Sequence, residues 1–182
     1  MTETELEKLK FPIGRFTKPK IINSVQIEEW RNEIGLFPET VINITEGLTH
    51  EQLNWKYRPG GWKIKQLVHH CVDSHLNSYT RFNLALTEAS PTIRPYYESL
   101  WAELPGSNDD DLSDSILILT GLHSKWTKLI KSLNKESLAK EYIHPEHGQR
   151  FNLQETIGLY AWHCKHHLAH IKQAFKAEGK YN

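Results

Sequence analysis

The sequence lacks most features of membrane, secreted or nucleic-acid-binding proteins. Only two of its 182 residues are cysteines, too few for a disulfide framework. No apolar run approaches the about 18 residues of a transmembrane helix, and the polar N-terminus lacks the apolar segment of a signal peptide. Basic and acidic residues number 22 each, without a basic cluster. We therefore expect a soluble, cytoplasmic protein with a small-molecule substrate and neither nucleic acid nor membrane as partner.

Strand-like alternation, internal repeats and low-complexity tracts are also absent. Apolar residues instead recur at helical spacing in four long segments, near 23–47, 62–86, 113–133 and 152–179. Asn23 with Gln26, Thr49 with Gln52 and Asn152 with Glu155 are typical of helix starts. Residues 1–22, 90–111 and 142–148 are predicted to be irregular, and the 90–111 connection is long enough to form a cleft wall. We predict an all-α four-helix bundle in a single domain, residues 1–182.

Four of the 11 histidines lie close together in the last segment, at His163, His166, His167 and His170. Neutral imidazole is the commonest metal ligand, and histidines four residues apart share a helix face. On a helical wheel, His167 and His163 lie about 80° and 120° from the centre of the apolar stripe, on one flank. His166 points away from the core and is predicted to be solvated. Phasing thus favours His163 and His167 as ligands, although two histidines alone can simply decorate an amphipathic helix.

A third ligand has to come from another segment, and the chain offers the adjacent pair His69 and His70. His70 flanks the apolar stripe of the second helix at about the angle that His163 has on its own helix. Periodicity alone separates His70 from His69 poorly. His75 lies inside the stripe and is predicted to be a packed core histidine with a hydrogen-bond partner.

Several motifs, taken together, resemble one known family. They are Tyr57-Arg-Pro-Gly-Gly-Trp62, Val68-His-His-Cys-Val-Asp-Ser-His75, Arg94-Pro-Tyr96 with Glu98, and Trp162-His163 followed by His166-His-Leu-Ala-His-Ile171. The chain is similar to the YfiT-type metal-dependent hydrolases of the DinB-like superfamily, which also includes bacillithiol S-transferases. The resemblance implies an up-down-down-up four-helix bundle, often a homodimer, with one divalent ion held by His70, His163 and His167. Tyr97 departs from the acidic residue expected after the Arg-Pro-Tyr motif.

A site with three histidine ligands keeps open positions, which is typical of catalytic rather than structural zinc. Imidazole also suits nickel, so zinc is expected and nickel is possible. Activation of water would make the protein a metal-dependent hydrolase. The alternatives are an S-transferase that joins a low-molecular-weight thiol, such as bacillithiol, to an electrophile, or a noncatalytic metal-binding module.

Further residues are weaker candidates for the chemistry. Glu98, on the 90–111 connection, is a candidate general base, with a solvated loop carboxylate as the alternative. His123, Arg81 and Tyr160 are candidate contacts to the substrate or to the ligands, although His123 also fits a packed core position. Cys71 and Cys164 follow proposed ligands and are predicted to be small core residues, with a ligand or redox role as the alternative. His144 and His147 are predicted to lie on the surface, with a position at the mouth of the site as the alternative.

Overall fold

The computed structural model describes residues 1–146 and 148–182, so His147 lies outside the described part of the chain. The elements in chain order are α1 (Glu3–Lys10), α2 (Ser24–Thr45), α3 (His50–Leu53), α4 (Ile64–Thr87), α5 (Glu98–Trp101), a 3₁₀ turn (Pro105–Ser107), α6 (Ser113–Ser132), α7 (Lys135–Leu138), β1 (Glu141–His144), β2 (Gln149–Asn152) and α8 (Leu153–Ala177). The four long helices, α2, α4, α6 and α8, coincide with the four segments expected from apolar spacing.

The starts of these helices follow the expected capping chemistry. Asn23 accepts a hydrogen bond of 2.9 Å from the backbone N–H of Gln26, and Asn152 accepts one of 2.9 Å from Glu155. Such bonds satisfy backbone donors that have no partner inside the first helical turn. The predicted starts of α2 and α8 are therefore confirmed.

The four long helices form a bundle in which α6 and α8 each pack against both α2 and α4. Helix α4 runs antiparallel to α8, because His70 faces His167 whereas Ser74 faces Tyr160. Helix α6 runs parallel to α4, with His69 beside Ser115 and His75 beside His123. Helix α2 runs parallel to α8, with Trp30 against Gly158 and Glu33 paired to Lys165. The expected up-down-down-up bundle is confirmed.

The core lies along the facing stripes of these helices. Its most buried large side chains, each under 2% exposed, include Ile34, Ile64, Phe82, Leu119, Trp126, Leu153 and Ile157. Burial of each such side chain contributes about 1.5–3 kcal/mol to folding. Among the described residues, no helix is both long and apolar enough to cross a membrane.

Two segments differ from the expectation of irregular structure. Residues 3–10 form α1, which begins with a capping box between Thr2 and Glu5, so the predicted irregular lead over 1–22 is wrong in this part. Strands β1 and β2 pair in an antiparallel arrangement, with Tyr142 opposite Phe151. Each strand has only four residues, too few for alternation to stand out in the sequence. The Thr2-x-x-Glu5 spacing, in contrast, was a usable signal for α1.

Candidate metal centre

Three histidines from two antiparallel helices meet at one point of the bundle. His70 projects from α4, while His163 and His167 project from successive turns of α8, and one nitrogen of each ring lies within 4.8 Å of the other two. The Nε2 atoms of His163 and His167 are 3.1 Å apart. A tetrahedral site with metal–nitrogen bonds of about 2.0–2.1 Å separates its ligand atoms by a little over 3 Å. The donor set therefore fits a divalent ion such as zinc.

The contacts of the neighbouring histidine separate His69 from His70. Nε2 of His69 lies 3.0 Å from the carbonyl oxygen of Asp109, and Nδ1 lies 2.7 Å from Oγ of Ser115. Because a carbonyl oxygen only accepts, Nε2 donates to it and Nδ1 accepts from the hydroxyl. Both nitrogens of His69 are thus engaged in joining α4 to the start of α6, whereas the ring of His70 faces His163 and His167.

The three histidines line a pocket of about 300 Å³. Its other walls are Lys10, Phe11, Tyr57, Arg58, Trp62, Glu98, Trp162, His166 and His170. The ring of Trp62 lies 4.6 Å from that of His70. A pocket of this kind, mainly aromatic with a few convergent polar groups, is typical of a small-molecule site.

His166 is buried rather than solvated, so the prediction from helix phasing is wrong for this residue. Only 7% of it is exposed. Its ring stacks on Trp162 at 4.4 Å and on Phe11 at 5.8 Å. The N-terminal segment covers this face of α8, where Nε2 of His170 also donates to the carbonyl of Lys10 at 3.0 Å. A helical wheel cannot reveal a covering segment from the other end of the chain, where Lys10 is 160 residues from His170.

Burial keeps the pocket histidines neutral near pH 7. Desolvation lowers the pKa of His70 to about 4, and that of His163 and His167 well below the usual value, with the neighbouring rings adding to the effect. A neutral imidazole keeps one nitrogen lone pair, which is the form that binds metal.

Two further buried histidines connect His163 to helix α2. Nδ1 of His163 lies 3.0 Å from Nε2 of His75, and Nδ1 of His75 lies 2.8 Å from Nε2 of His123. Both His75 and His123 are at most 1% exposed. His75 is therefore the hydrogen-bonded core histidine that the sequence predicted. His123 is packed in the core and touches His75 rather than the pocket.

Tyr160 and Arg81 take different positions relative to the three histidines. The ring of Tyr160 lies 5.4 Å from that of His163, and its hydroxyl donates to the carbonyl of Ser74 at 3.2 Å. Oγ of Ser74 is 3.5 Å from Nε2 of His163, a contact that was not predicted from the sequence. Arg81 is outside the pocket lining, and its charge acts on Glu98 and Tyr142.

Glu98 lines the same pocket as the histidines. Although the residue is exposed overall, desolvation of its carboxyl raises the pKa, and Glu146 adds to the rise while Arg81 opposes it.

Helix α4 holds the 90–111 connection, which carries Glu98, in place. Nζ of Lys65 donates to the carbonyl of Asn108, and Nε2 of Gln66 donates to that of Ala102 at 2.8 Å.

Both cysteines are free and buried in the core. Burial raises the pKa of each thiol, which disfavours the thiolate needed for nucleophilic or redox chemistry. Cys71 also groups with His75 and His163 as possible metal donors. Since each nitrogen of His75 already faces another histidine, this second group fits an ion less well than the first.

The fold and the three histidines identify the class of protein. The family model of the DinB superfamily matches residues 37–171, a span that contains all three histidines and most of the bundle. The chain belongs to the DinB superfamily.

Particular relatives are closely similar over nearly the whole chain. A Bacillus cereus protein named "putative metal-dependent hydrolase" is 47% identical over 166 residues, covering 91% of this chain and 95% of the relative. A Bacillus thuringiensis subsp. konkukian protein of the same description has equal identity and coverage. The solved structure of Bacillus subtilis YfiT, described as "a probable metal-dependent hydrolase with an unusual four-helix bundle topology", matches with a TM-score of 0.91 and 39% identity, over 94% of this chain and 98% of that one.

Proposed function

We propose that this protein is a metal-dependent hydrolase in which His70, His163 and His167 hold one divalent ion. The observation that carries the proposal is the convergence of three neutral imidazole nitrogens, within 4.8 Å of one another, on the wall of an aromatic pocket. The bacterial relatives are named as metal-dependent hydrolases, which supports the same function. Zinc is the expected ion and nickel a possible one, because imidazole suits both.

When bound at three protein ligands, a divalent ion supplies Lewis acidity and lowers the pKa of water. The chain itself provides binding, orientation and exclusion of solvent. We assign Trp62 and Trp162 the binding of an apolar part of a small substrate. Tyr57 and Arg58 line the same pocket, where the ring of Tyr57 stacks on that of His170. Three neutral ligands leave the charge of the ion uncompensated, which favours Lewis-acid chemistry over a storage role.

Glu98 is the proposed general base. It belongs to the pocket wall, and its raised pKa brings it closer to the range in which a carboxylate both accepts and returns a proton near neutral pH. Tyr160 is assigned the orientation of His163 through packing of the two rings, rather than contact with the substrate. Arg81 is assigned the tuning of Glu98 through its charge.

A substrate panel tests the proposal directly. Esters, amides and thiol-plus-electrophile pairs are offered to the metal-loaded protein and to chelator-treated protein. Hydrolysis without thiol that disappears on chelation supports the hydrolase. Conjugation that needs a low-molecular-weight thiol, such as bacillithiol, identifies an S-transferase instead. Tight metal binding without turnover of any pair overturns the enzyme assignment in favour of a noncatalytic metal-binding module.

We also propose that residues 1–182 act as one bundle domain, that the protein is cytoplasmic, and that it forms a homodimer. The single domain and the homodimer rest on the family resemblance, and the cytoplasmic location rests on the two free, buried cysteines, which fit a reducing compartment. Sedimentation velocity at micromolar concentration tests the homodimer, and a monomer under those conditions contradicts it.

A further inference from the structure

Helix α2 contains a proline that leaves one backbone carbonyl free. Pro38 lies inside α2 and has no N–H to donate to the carbonyl of Ile34, four residues earlier. That carbonyl instead lies 2.6 Å from Nδ1 of His123. Since a carbonyl oxygen only accepts hydrogen bonds, Nδ1 of His123 carries the proton of that ring.

The position of the proton on His123 determines which nitrogen is protonated in His75 and in His163. A neutral His123 with its proton on Nδ1 has a lone pair on Nε2, so Nδ1 of His75 must donate across the 2.8 Å contact. Nε2 of His75 is then an acceptor, and Nδ1 of His163 must donate to it across 3.0 Å. Both rings are at most 1% exposed, and each nitrogen–nitrogen contact holds a single proton between its two nitrogens, so each ring carries one proton and is neutral.

The end of this series lies in the candidate metal centre. With its proton on Nδ1, His163 presents the lone pair of Nε2, the atom that is 3.1 Å from Nε2 of His167. The Ile34 carbonyl thus determines the tautomer of His163, a proposed ligand, through His123 and His75. In metalloproteins, the partner of the second ring nitrogen sets both the tautomer and the orientation of a ligand histidine.

We propose that His75 and His123 are positioning residues that, with the Ile34 carbonyl freed by Pro38, lock His163 as an Nδ1–H tautomer and so pre-form the metal centre. We call the three histidines His163, His75 and His123 the histidine relay. The inference deepens the proposed function and rests on His163 as a ligand. No proton is gained or lost along the relay, because each ring keeps one.

His167 supplies an internal contrast. Its Nδ1 has no hydrogen-bond partner among the described residues, while its Nε2 faces the lone pair of His163. In the metal-free protein, Nε2 of His167 therefore carries the proton and donates it to His163. To ligate through Nε2, His167 has to release that proton to solvent and take one up on Nδ1. His163 needs no such exchange.

Nitrogen-15 NMR of the full chain tests this arrangement without reference to activity. Two-bond ¹H–¹⁵N spectra report which ring nitrogen of each histidine is protonated. In chelator-treated protein, we expect Nδ1–H signals for His163, His75 and His123 and an Nε2–H signal for His167. On zinc addition, His167 should change tautomer and the relay should not. An Nε2–H signal for His163 in the metal-free protein overturns the proposal.

Metal affinity gives the second readout. His75→Phe keeps a ring in the core but removes both relay nitrogens, so zinc affinity should fall by about 10- to 100-fold. Phe37→Leu is the matched control, because Phe37 packs against both His75 and His123 without hydrogen bonding to them. His123→Gln retains an oxygen that can accept from His75, and it should retain most of the affinity that His123→Phe loses.

The outcomes separate the relay from the ligand assignment. If zinc binds but His75→Phe weakens binding no more than Phe37→Leu does, the relay is wrong and the metal centre stands. If the expected tautomers appear but no divalent ion binds, the tautomer assignment stands, whereas the proposed function and the positioning role of the relay both fail. Should His75→Phe not fold, the wild-type tautomers and the His123→Gln variant still decide the question.

Discussion

Nε2 of His163 and Nε2 of His167 lie 3.1 Å apart on successive turns of α8, and His70 completes the group from the antiparallel helix α4. Residues four apart on a helix are neighbours on its surface, so α8 alone defines two corners of the site. The third corner depends on the packing of α4 against α8. The bundle must therefore fold before the three nitrogens converge.

The first prediction concerns the ligands. Replacing His70, His163 or His167 with Ala removes one of only three donors, so affinity for zinc should fall by more than the about 100-fold that loss of a supporting hydrogen bond costs. Isothermal titration calorimetry measures the change. His50→Ala, at a largely exposed side chain, is the control and should bind zinc like the wild type. Full zinc retention in a His163→Ala, His167→Ala double variant contradicts the assignment.

The second prediction concerns removal of the metal. The core is built from apolar residues of all four long helices, so the chain should stay folded without an ion, unlike a zinc finger. Zinc at 100 times its dissociation constant stabilises the fold by about 2.7 kcal/mol. Chelation should therefore lower the Tm by about 5–10 °C, with the helical circular dichroism at 25 °C unchanged. Loss of most of that signal at 25 °C would instead make the ion a structural requirement.

The sequence was informative wherever the deciding signal was local. Apolar spacing and the Asn23 and Asn152 caps were enough to find the long helices, and helical phasing favoured His163 and His167, which share a flank of α8. The choice between His69 and His70 needed the family resemblance. In the structure it depends on Asp109 and Ser115, which lie some 40 residues away in the chain.

The features that were missed depend on long-range contacts. The burial of His166 comes from Phe11 and the N-terminal segment, which no periodicity in α8 can indicate. The histidine relay joins α2, α6, α4 and α8 through the Ile34 carbonyl. Pro38 was visible in the sequence as a residue without an N–H, but the partner of the freed carbonyl depends on how the bundle packs.

The third prediction concerns acid stability. Seven described histidines have lowered pKa values, mainly because burial disfavours the charged ring: His70, His75, His123, His163, His166, His167 and His170. The unfolded chain then binds more protons below about pH 6.5. Between about pH 6.5 and its pKa in the folded protein, each such histidine lowers the free energy of unfolding by about 1.4 kcal/mol for every unit by which the pH falls.

Urea unfolding of the metal-free protein between pH 4 and pH 8 measures this dependence. The free energy of unfolding should be nearly constant above pH 7 and should fall steeply below about pH 6.5. His123→Phe should make the slope shallower, because it removes one group whose folded pKa is about 4. A stability that rises on acidification contradicts the lowered pKa values.

The fourth prediction compares one substitution at two helical glycines. At Gly158 in α8, an added Cβ would lie 2.7 Å from the indole of Trp30, so Gly158→Ala should overpack the core and destabilise the fold by about 1–3 kcal/mol. At Gly121 in α6, an added Cβ meets nothing within 4 Å, and Gly121→Ala should stabilise by up to about 1 kcal/mol through helix propensity. Thermal unfolding measures the change in stability for both variants. Two changes of the same sign would contradict the packing of α2 on α8.

The last prediction concerns Glu98 and its charged neighbours. If Glu98 is the general base, Glu98→Gln should lower kcat by about 10²- to 10⁴-fold with zinc affinity retained. Activity should fall as the pH drops through the raised pKa of its carboxyl.

Glu146 raises the pKa of Glu98 and Arg81 lowers it, so Glu146→Gln should move the acidic limb of the kcat–pH profile to lower pH. Arg81→Gln should move the limb to higher pH. These opposite shifts are expected from charge alone, since neither residue touches the three histidines in the structure. An acidic limb that stays fixed in both variants, or a fully active Glu98→Gln enzyme, would assign the proton transfer to another group.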